Sequence, residues 1–332
     1  MFGTTQGDLP DRQDPQADAH WAARTLPSVL AFGLAIKLVA ILLLGHLSPD
    51  ADTLKAWCMA LARQGPHGFF TGQDLPNIQP GSLHPLGALL LWPLGVIWRM
   101  WDPTFVHHAG RMFALWVRLP ALLAEVAAAG ALYLLAERFT GPRRALPTAA
   151  ALFLNPALIL GSTVWGHTEA LIVAFVLWGV LEIVRSRYTL GVALVGAAGL
   201  VHVHAFAFLP VAVVVASRRG GAGKALGGAG AVLLGAMLLG QLLAPSAWSS
   251  VYTAQPAAEP YTTYNAFNAW YPLGNLEHGD QPLLPKLPLP TSRHALGLFA
   301  TFGLVLIAMF KAATRENDSD FLREMMLLAL GL

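Results

Sequence analysis

The chain has 332 residues, of which 55% are hydrophobic and 12% charged, with a formal charge of +2 and a mean hydropathy of +0.54. Soluble domains carry roughly twice that charged fraction, which points to an integral membrane protein, and so small a net charge is too little to suggest nucleic acid as a partner. Cys58 is the only cysteine, so no internal disulfide framework exists, and it reads as a small apolar packing residue.

Residues 1–25 are rich in Pro, Asp and Gln and read as a flexible arm without a cleavable signal peptide. Residues 26–332 then read as one all-α polytopic membrane domain. Pro27–Leu47 is its first apolar span, about the length that crosses hydrocarbon. Further apolar runs follow at His84–Trp101, Phe113–Leu135, Leu146–Ser162, Ala170–Val184, Leu190–Val201, Ala205–Ala216, Ala225–Leu243 and Ala295–Phe310. A last run, Phe321–Leu332, is too short to span, so a chain that continues further or a partial final helix is expected.

Basic clusters orient these runs. Glu137–Arg144, Arg185–Arg187, Ser217–Lys224 and Lys311–Arg315 belong inside. They agree with one another only if His84–Trp101 does not fully cross, so it is expected as a juxtamembrane or re-entrant helix. The N-terminus is then cytoplasmic in the plasma (inner) membrane. The outer face holds the segments 48–111 and 244–294, with short turns near Gly166 and His202. Long loops with aromatic residues usually carry function.

The acids at the outer boundary are the candidates for chemistry. Asp50 and Asp52 follow the first span, and Ser48-Pro49-Asp50 alone would make a helix cap. Glu169, in "WGHTEA", lies on the same face by this topology, so two acidic sites from distant segments can converge as a general base or as metal ligands. Lys37, Arg118 and Glu125 sit inside apolar runs, where charge needs a partner or a cavity. Arg118 and Glu125 fall on one helical face and fit a structural ion-pair network. His202 and His204 flank Val203; on a helix they would diverge, so joint metal ligation would need extended backbone. Trp57, Trp165, Tyr264, Asn265, Asn268, Trp270 and Tyr271 read either as an interfacial aromatic belt or as a sugar site. For a sugar, rings stack on the C–H face and amides serve the hydroxyls.

These stretches, taken in order, resemble the GT-C superfamily, membrane glycosyltransferases that use polyprenyl-phosphate-linked sugars, and among them the bacterial mannosyl- and glucosyltransferases. "DADTLKAW" (Asp50–Trp57) resembles the first-loop acid with a Trp seven positions on, and "ARQGPHGFF" (Ala62–Phe70) the Gly-then-aromatic segment after it. "NIQPGSLHPLGALLLW" (Asn77–Trp92), which includes His84, resembles an Asp-Tyr-Pro-Pro-Gly-Tyr stretch. "VRLPALLAE" (Val117–Glu125) resembles an Arg-Leu-Pro segment ending in an acid. "NPALILGSTVWGHTEA" (Asn155–Ala170) resembles Asn-Pro followed by Trp-Gly-Gln-x-Asp, and "YNAFNAWYPLG" (Tyr264–Gly274) an Asn-Ala-x-Asn-x-Trp loop. Asn77 stands where the pattern often has Asp, Gln79 replaces a Pro, and His167 and Glu169 replace Gln and Asp. His202 and His204 fall where relatives often carry Lys and Gln.

The resemblance implies a GT-C-like helical bundle whose outer first loop contains juxtamembrane helices. It implies transfer of a hexose or pentose from a polyprenyl-phosphate donor to a hydroxyl of a lipid, glycan or protein acceptor. Asp50, with Asp52 and Glu169, would supply the catalytic acids, Asp50 being the general base by its spacing to Trp57. Trp57, Asn77, His84, Trp165, His167, Asn265, Asn268 and Trp270 would bind substrate. His202, His204, Lys37 and Arg118 would face the phosphate. No cofactor is required, and no metal ligand is assigned; the Asp50-x-Asp52 spacing keeps a divalent ion open. A flippase or transporter would also use intramembrane charge, but the two halves of the chain show no repeat. A non-catalytic membrane subunit is the third reading.

Overall fold

Long apolar runs punctuated by Gly and Pro leave a bilayer chain one economical solution, helices that satisfy their own backbone. A computed structural model describes residues 15–45, 49–71, 83, 85–167, 169–243, 293–314 and 317–331, and among them it is helical with no strand. The protein is thus an all-α polytopic membrane protein. Five helices are long and apolar enough to cross: Arg24–Leu44, Leu119–Thr140, Pro142–Trp165, Val203–Gly220 and Ala222–Leu243. Tyr188–Val201 and Phe299–Thr314 are shorter apolar helices.

In chain order the helices are α1 (Pro15–Leu44), α2 (Pro49–Thr71), α3 (Pro85–Trp101), α4 (Arg111–Val117), α5 (Leu119–Thr140), α6 (Pro142–Phe153) and the short α7 (Pro156–Leu158). A π-helix, Ile159–Trp165, follows directly. Then come α8 (Glu169–Val184), α9 (Tyr188–Val201), a 3-10 turn (Val203–Ala207), α10 (Phe208–Gly220) and α11 (Ala222–Leu243). The last two are α12 (Arg293–Thr314) and α13 (Asp318–Gly331).

The start of α1 departs from expectation. Residues 15–25 of the expected flexible arm are already helical. Pro15 suits the first helical position, and the Ala-, Arg- and Leu-containing stretch that follows favours helix. Packing then holds it, because Ala22 is fully buried in one cluster with Tyr133, Ala145, Leu146 and Ala149.

Polar contacts define the two ends of the bundle. At one end Arg138 of α5 and Arg219 of α10 both pair with Asp318 of α13. Glu182 near the end of α8 pairs there with Arg185 and Arg187, and Lys224 of α11 lies over the Tyr188 ring. At the other end Arg118, just before α5, donates to the carbonyl of Gly45, just after α1, at 2.9 Å. The chain therefore leaves α1 and enters α5 at the same end. The intervening segment, with α2, α3 and α4, returns to where it began, as the expectation for His84–Trp101 requires. α2 and α3 share a core built on Leu54, Cys58, Leu61, Leu91 and Trp98, into which Phe113 of α4 packs. α8 and α9 approach closely through Gly179 and Gly191: a Cβ at Gly191 would lie 2.7 Å from the Gly179 carbonyl.

Candidate active site at the acid–histidine end

The site grows out of a break in the helix after α6. Asn155-Pro156 cannot continue α6, since a residue before proline avoids the helical region. The Asn155 side chain instead accepts from the Ala157 N–H at 2.9 Å and caps the next helix. The π-helix ends at Gly166, whose φ of 87° is the left-handed conformation that glycine adopts without strain. A side chain there would also meet α2, at 3.2 Å from Leu54 Cδ2. Glycine thus lets the Trp165–Glu169 stretch lie against the first turns of α2, the helix that carries Asp50 and Asp52.

Three buried groups hold this region. Arg118 is fully buried and donates to three carbonyls: Ala114 at 2.7 Å, Gly45 at 2.9 Å and Val164 at 2.7 Å. Asp52 is near enough to act on it electrostatically. Lys37 Nζ lies 2.7 Å from Glu125 Oε2, both side chains excluded from solvent, and neither atom finds another hydrogen-bond partner among the described residues. The other oxygen of Glu125 accepts from Ser162 Oγ, and from Thr163 Oγ1 at 3.4 Å.

Beside Gly166 stands a cluster of one acid and three histidines. His167 Nδ1 is 3.2 Å from Glu169 Oε1, and the Trp165 and His167 rings lie 6.0 Å apart. The His202 and His204 rings stack at 4.8 Å with their Nδ1 atoms 3.0 Å apart, so one ring donates to the other. The extended backbone of His202 (φ −154°, ψ 131°) makes this possible, which a continuous helix would forbid. Glu169 and His202 flank the apolar runs. Burial alone would raise the Glu169 carboxyl, but its bond to His167 and the charges of His167 and His202 hold it below the usual carboxylate range. Burial, and then His204, push His202 down to about 4, with Glu169 acting the other way. His202 is therefore neutral near pH 7.

From this polar head a cleft of about 500 Å³ descends between α8, α10 and α13. Glu169, His202 and His204 line its mouth; Ile172, Val173, Val176, Phe208, Leu322 and Met325 line its walls. An amphiphile with a polar head and an apolar tail matches that lining.

The structure brings together Asp52, Arg118, Trp165, His167, Glu169, His202 and His204 at one end of the bundle. Lys37 is paired with Glu125, and Arg118 gives its NH1 and NH2 groups to three backbone carbonyls while its buried Nε has no hydrogen-bond partner among the described residues. Glu125 pairs with Lys37, not with Arg118 as the seven-residue spacing predicts. Trp57 packs against the α2–α3 core. The side chain of Asp50, and Asn77, His84, Asn265, Asn268 and Trp270, lie outside the described part of the structure. Among the described residues no three or more His, Cys, Asp or Glu side chains are placed to hold a metal ion. Sequence reasoning missed Lys55, which pairs with Asp52 at 2.7 Å; the i,i+3 spacing was its signal. It also missed Ser162 and Thr163, two hydroxyls in an apolar run.

Residues 81–218, from before α3 to within α10, match the family model described as alpha-(1->6)-mannopyranosyltransferase, N-terminal domain. Over these residues the chain is similar to a GT-C-type family of membrane mannosyltransferases. The resemblance read from the sequence is borne out, and the Arg118, Gly166, Glu169 and His202 regions all fall inside the matched segment. No curated protein matches the chain.

Proposed function

We propose that this protein transfers a hexose, mannose by its family, from a polyprenyl-phosphate-linked donor to an acceptor hydroxyl at the outer face of the plasma (inner) membrane, the acceptor being a lipid, glycan or protein. The observation that carries this is the cleft that Glu169, His202 and His204 line together with apolar walls, at the end of the bundle where Gly166 packs against α2. The isoprenoid tail lies along α8 and α10, and the phosphate meets His202. Asp50 takes the proton of the acceptor hydroxyl. The hydroxyl oxygen attacks the anomeric carbon in line, the bond from that carbon to the phosphate oxygen breaks, and lipid phosphate leaves with the electron pair. His202, protonated as the anion binds, offsets the charge that develops there. Trp165 and His167 face the sugar. No cofactor is required; a divalent ion between Asp50 and Asp52 stays open. Incubation of the purified protein with polyprenyl-phosphate-mannose and candidate acceptors, compared with Asp50→Asn, tests the reading. Mannosyl transfer lost in the variant supports it; donor that binds and is translocated without transfer refutes it.

A further inference from the structure

The buried pair Lys37–Glu125 lies away from the cleft, yet its contacts converge on the segment that builds the site. Glu125 receives three donors: Lys37 on one oxygen, Ser162 and Thr163 on the other. Lys37 also lies 5.0 Å over the Phe153 ring, where α6 ends. The hydroxyls belong to the π-helix, and the next carbonyl along, that of Val164, is held by Arg118. A π-helix is a rare and marginal geometry that concentrates at functional sites. Here three successive residues are pinned immediately before Trp165, His167 and Glu169.

We propose that the Glu125 carboxylate, charge-balanced by Lys37, is a positioning residue that fixes the register of the π-helix and so the placement of Trp165, His167 and Glu169 against the donor. This rests on the transferase reading of the site. Acceptance of the two hydroxyl bonds at position 125 does the positioning; Lys37 makes the acceptor tolerable in an apolar interior, where an unpaired charge is costly.

Two double variants separate this from simple bundle stability, since neither leaves a buried charge. Lys37→Met with Glu125→Gln keeps an oxygen acceptor for Ser162 and Thr163. Lys37→Met with Glu125→Leu removes it. Turnover in the leucine protein should fall about 100-fold, the scale of an ångström-level misplacement, with the glutamine protein recovering most of it. A second readout needs no activity: a cysteine introduced by His167→Cys, in a Cys58→Ala background, labelled with an impermeant maleimide. Its labelling rate should change several-fold in the leucine protein and return in the glutamine protein. If the leucine protein does not fold, Ser162→Ala with Thr163→Val, which keeps the ion pair, should change labelling in the same way. Equal labelling and equal turnover with and without the acceptor at position 125 overturn the proposal. A labelling change together with no sugar transfer by the protein that retains His167 and the Lys37–Glu125 pair upholds the positioning role and refutes the transferase reading.

Discussion

Asp50 and Asp52 lie in the same helical turn, and the proposed reading makes Asp50 the general base. The Asp52 side chain is 69% exposed and paired with Lys55, so its charge is already met and largely screened. Asp50→Asn should lower turnover by about two to four orders of magnitude, the range of a lost general base; Asp52→Asn should cost far less, and both proteins should fold, because an amide still caps a helix. Full activity in Asp50→Asn with none in Asp52→Asn would reverse the assignment. His202 makes a second prediction. Its group sits near 4 without ligand, below the ordinary histidine value, and an anionic phosphate raises it. Donor affinity should therefore tighten as pH falls from about 8.5 to 5.5 and do so less in His202→Gln. For the unliganded fold the sign is the opposite: the unfolded chain binds the extra proton, so His202 stabilises fully above about pH 6.5 and loses that contribution as pH falls toward 4. Melting midpoints between those pH values should rise less steeply in His202→Gln. Glu169 and His202 were legible in the sequence because polar residues bounding apolar runs are conspicuous. The Lys37–Glu125 pair was not, since spacing along one helix offers Arg118 as the partner and only packing brings α1 to α5.

Close helix crossings are the element-scale feature most exposed to test. A Cβ at Gly191 would lie 2.5 Å from Ile183 Cγ1 and 2.7 Å from the Gly179 carbonyl, so α8 and α9 must separate to admit one. Gly191→Val should destabilise the protein by roughly 1–3 kcal/mol, the usual cost of overpacking. Gly130→Ala, where a Cβ meets nothing within 4 Å, should be neutral or stabilising. Thermal unfolding in detergent distinguishes them, and equal melting temperatures would mean that the crossing yields. Most helices were legible as apolar runs, their ends falling within a few residues of Gly, Pro or basic clusters. The run Leu146–Ser162 was read as one helix, whereas α6 ends at Phe153 and a π-helix begins at Ile159. Asn155-Pro156 signals the break. The π-helix has no such signature, because its hydroxyls bond to a glutamate on another helix. The N-terminal residues of α1 were misjudged for a related reason: composition reads as disorder, and the burial of Ala22 is a tertiary fact.

At the scale of the whole molecule, charge and site occupy opposite ends. Arg138, Arg185, Arg187, Arg219 and Lys224 gather at one end, while Arg118, Glu169, His202 and His204 mark the other. Each of α5, α8, α9, α10 and α11 runs from one end to the other, so a single orientation choice fixes all of them together. On the proposed reading the positive-inside bias sets the basic end in the cytoplasm and the acid–histidine end outside. The proposed donor would bring its phosphate out of the hydrocarbon at that end, where it meets the acceptor hydroxyl. The prediction concerns reporters at both ends in a Cys58→Ala background. Removing Cys58 costs little signal, since that thiol is buried and pushed up to about 12 by burial, hence unreactive. In intact cells an impermeant maleimide should label His167→Cys, and should label Ser186→Cys and Arg144→Cys only after permeabilisation. Ser186 lies between Arg185 and Arg187 in the turn after α8, and Arg144 is exposed near the start of α6, so both reporters are reachable from their own side. Labelling of position 144 in intact cells would invert the bundle and move the proposed chemistry to the cytoplasmic face, because no helix between α5 and α11 can change direction without the rest.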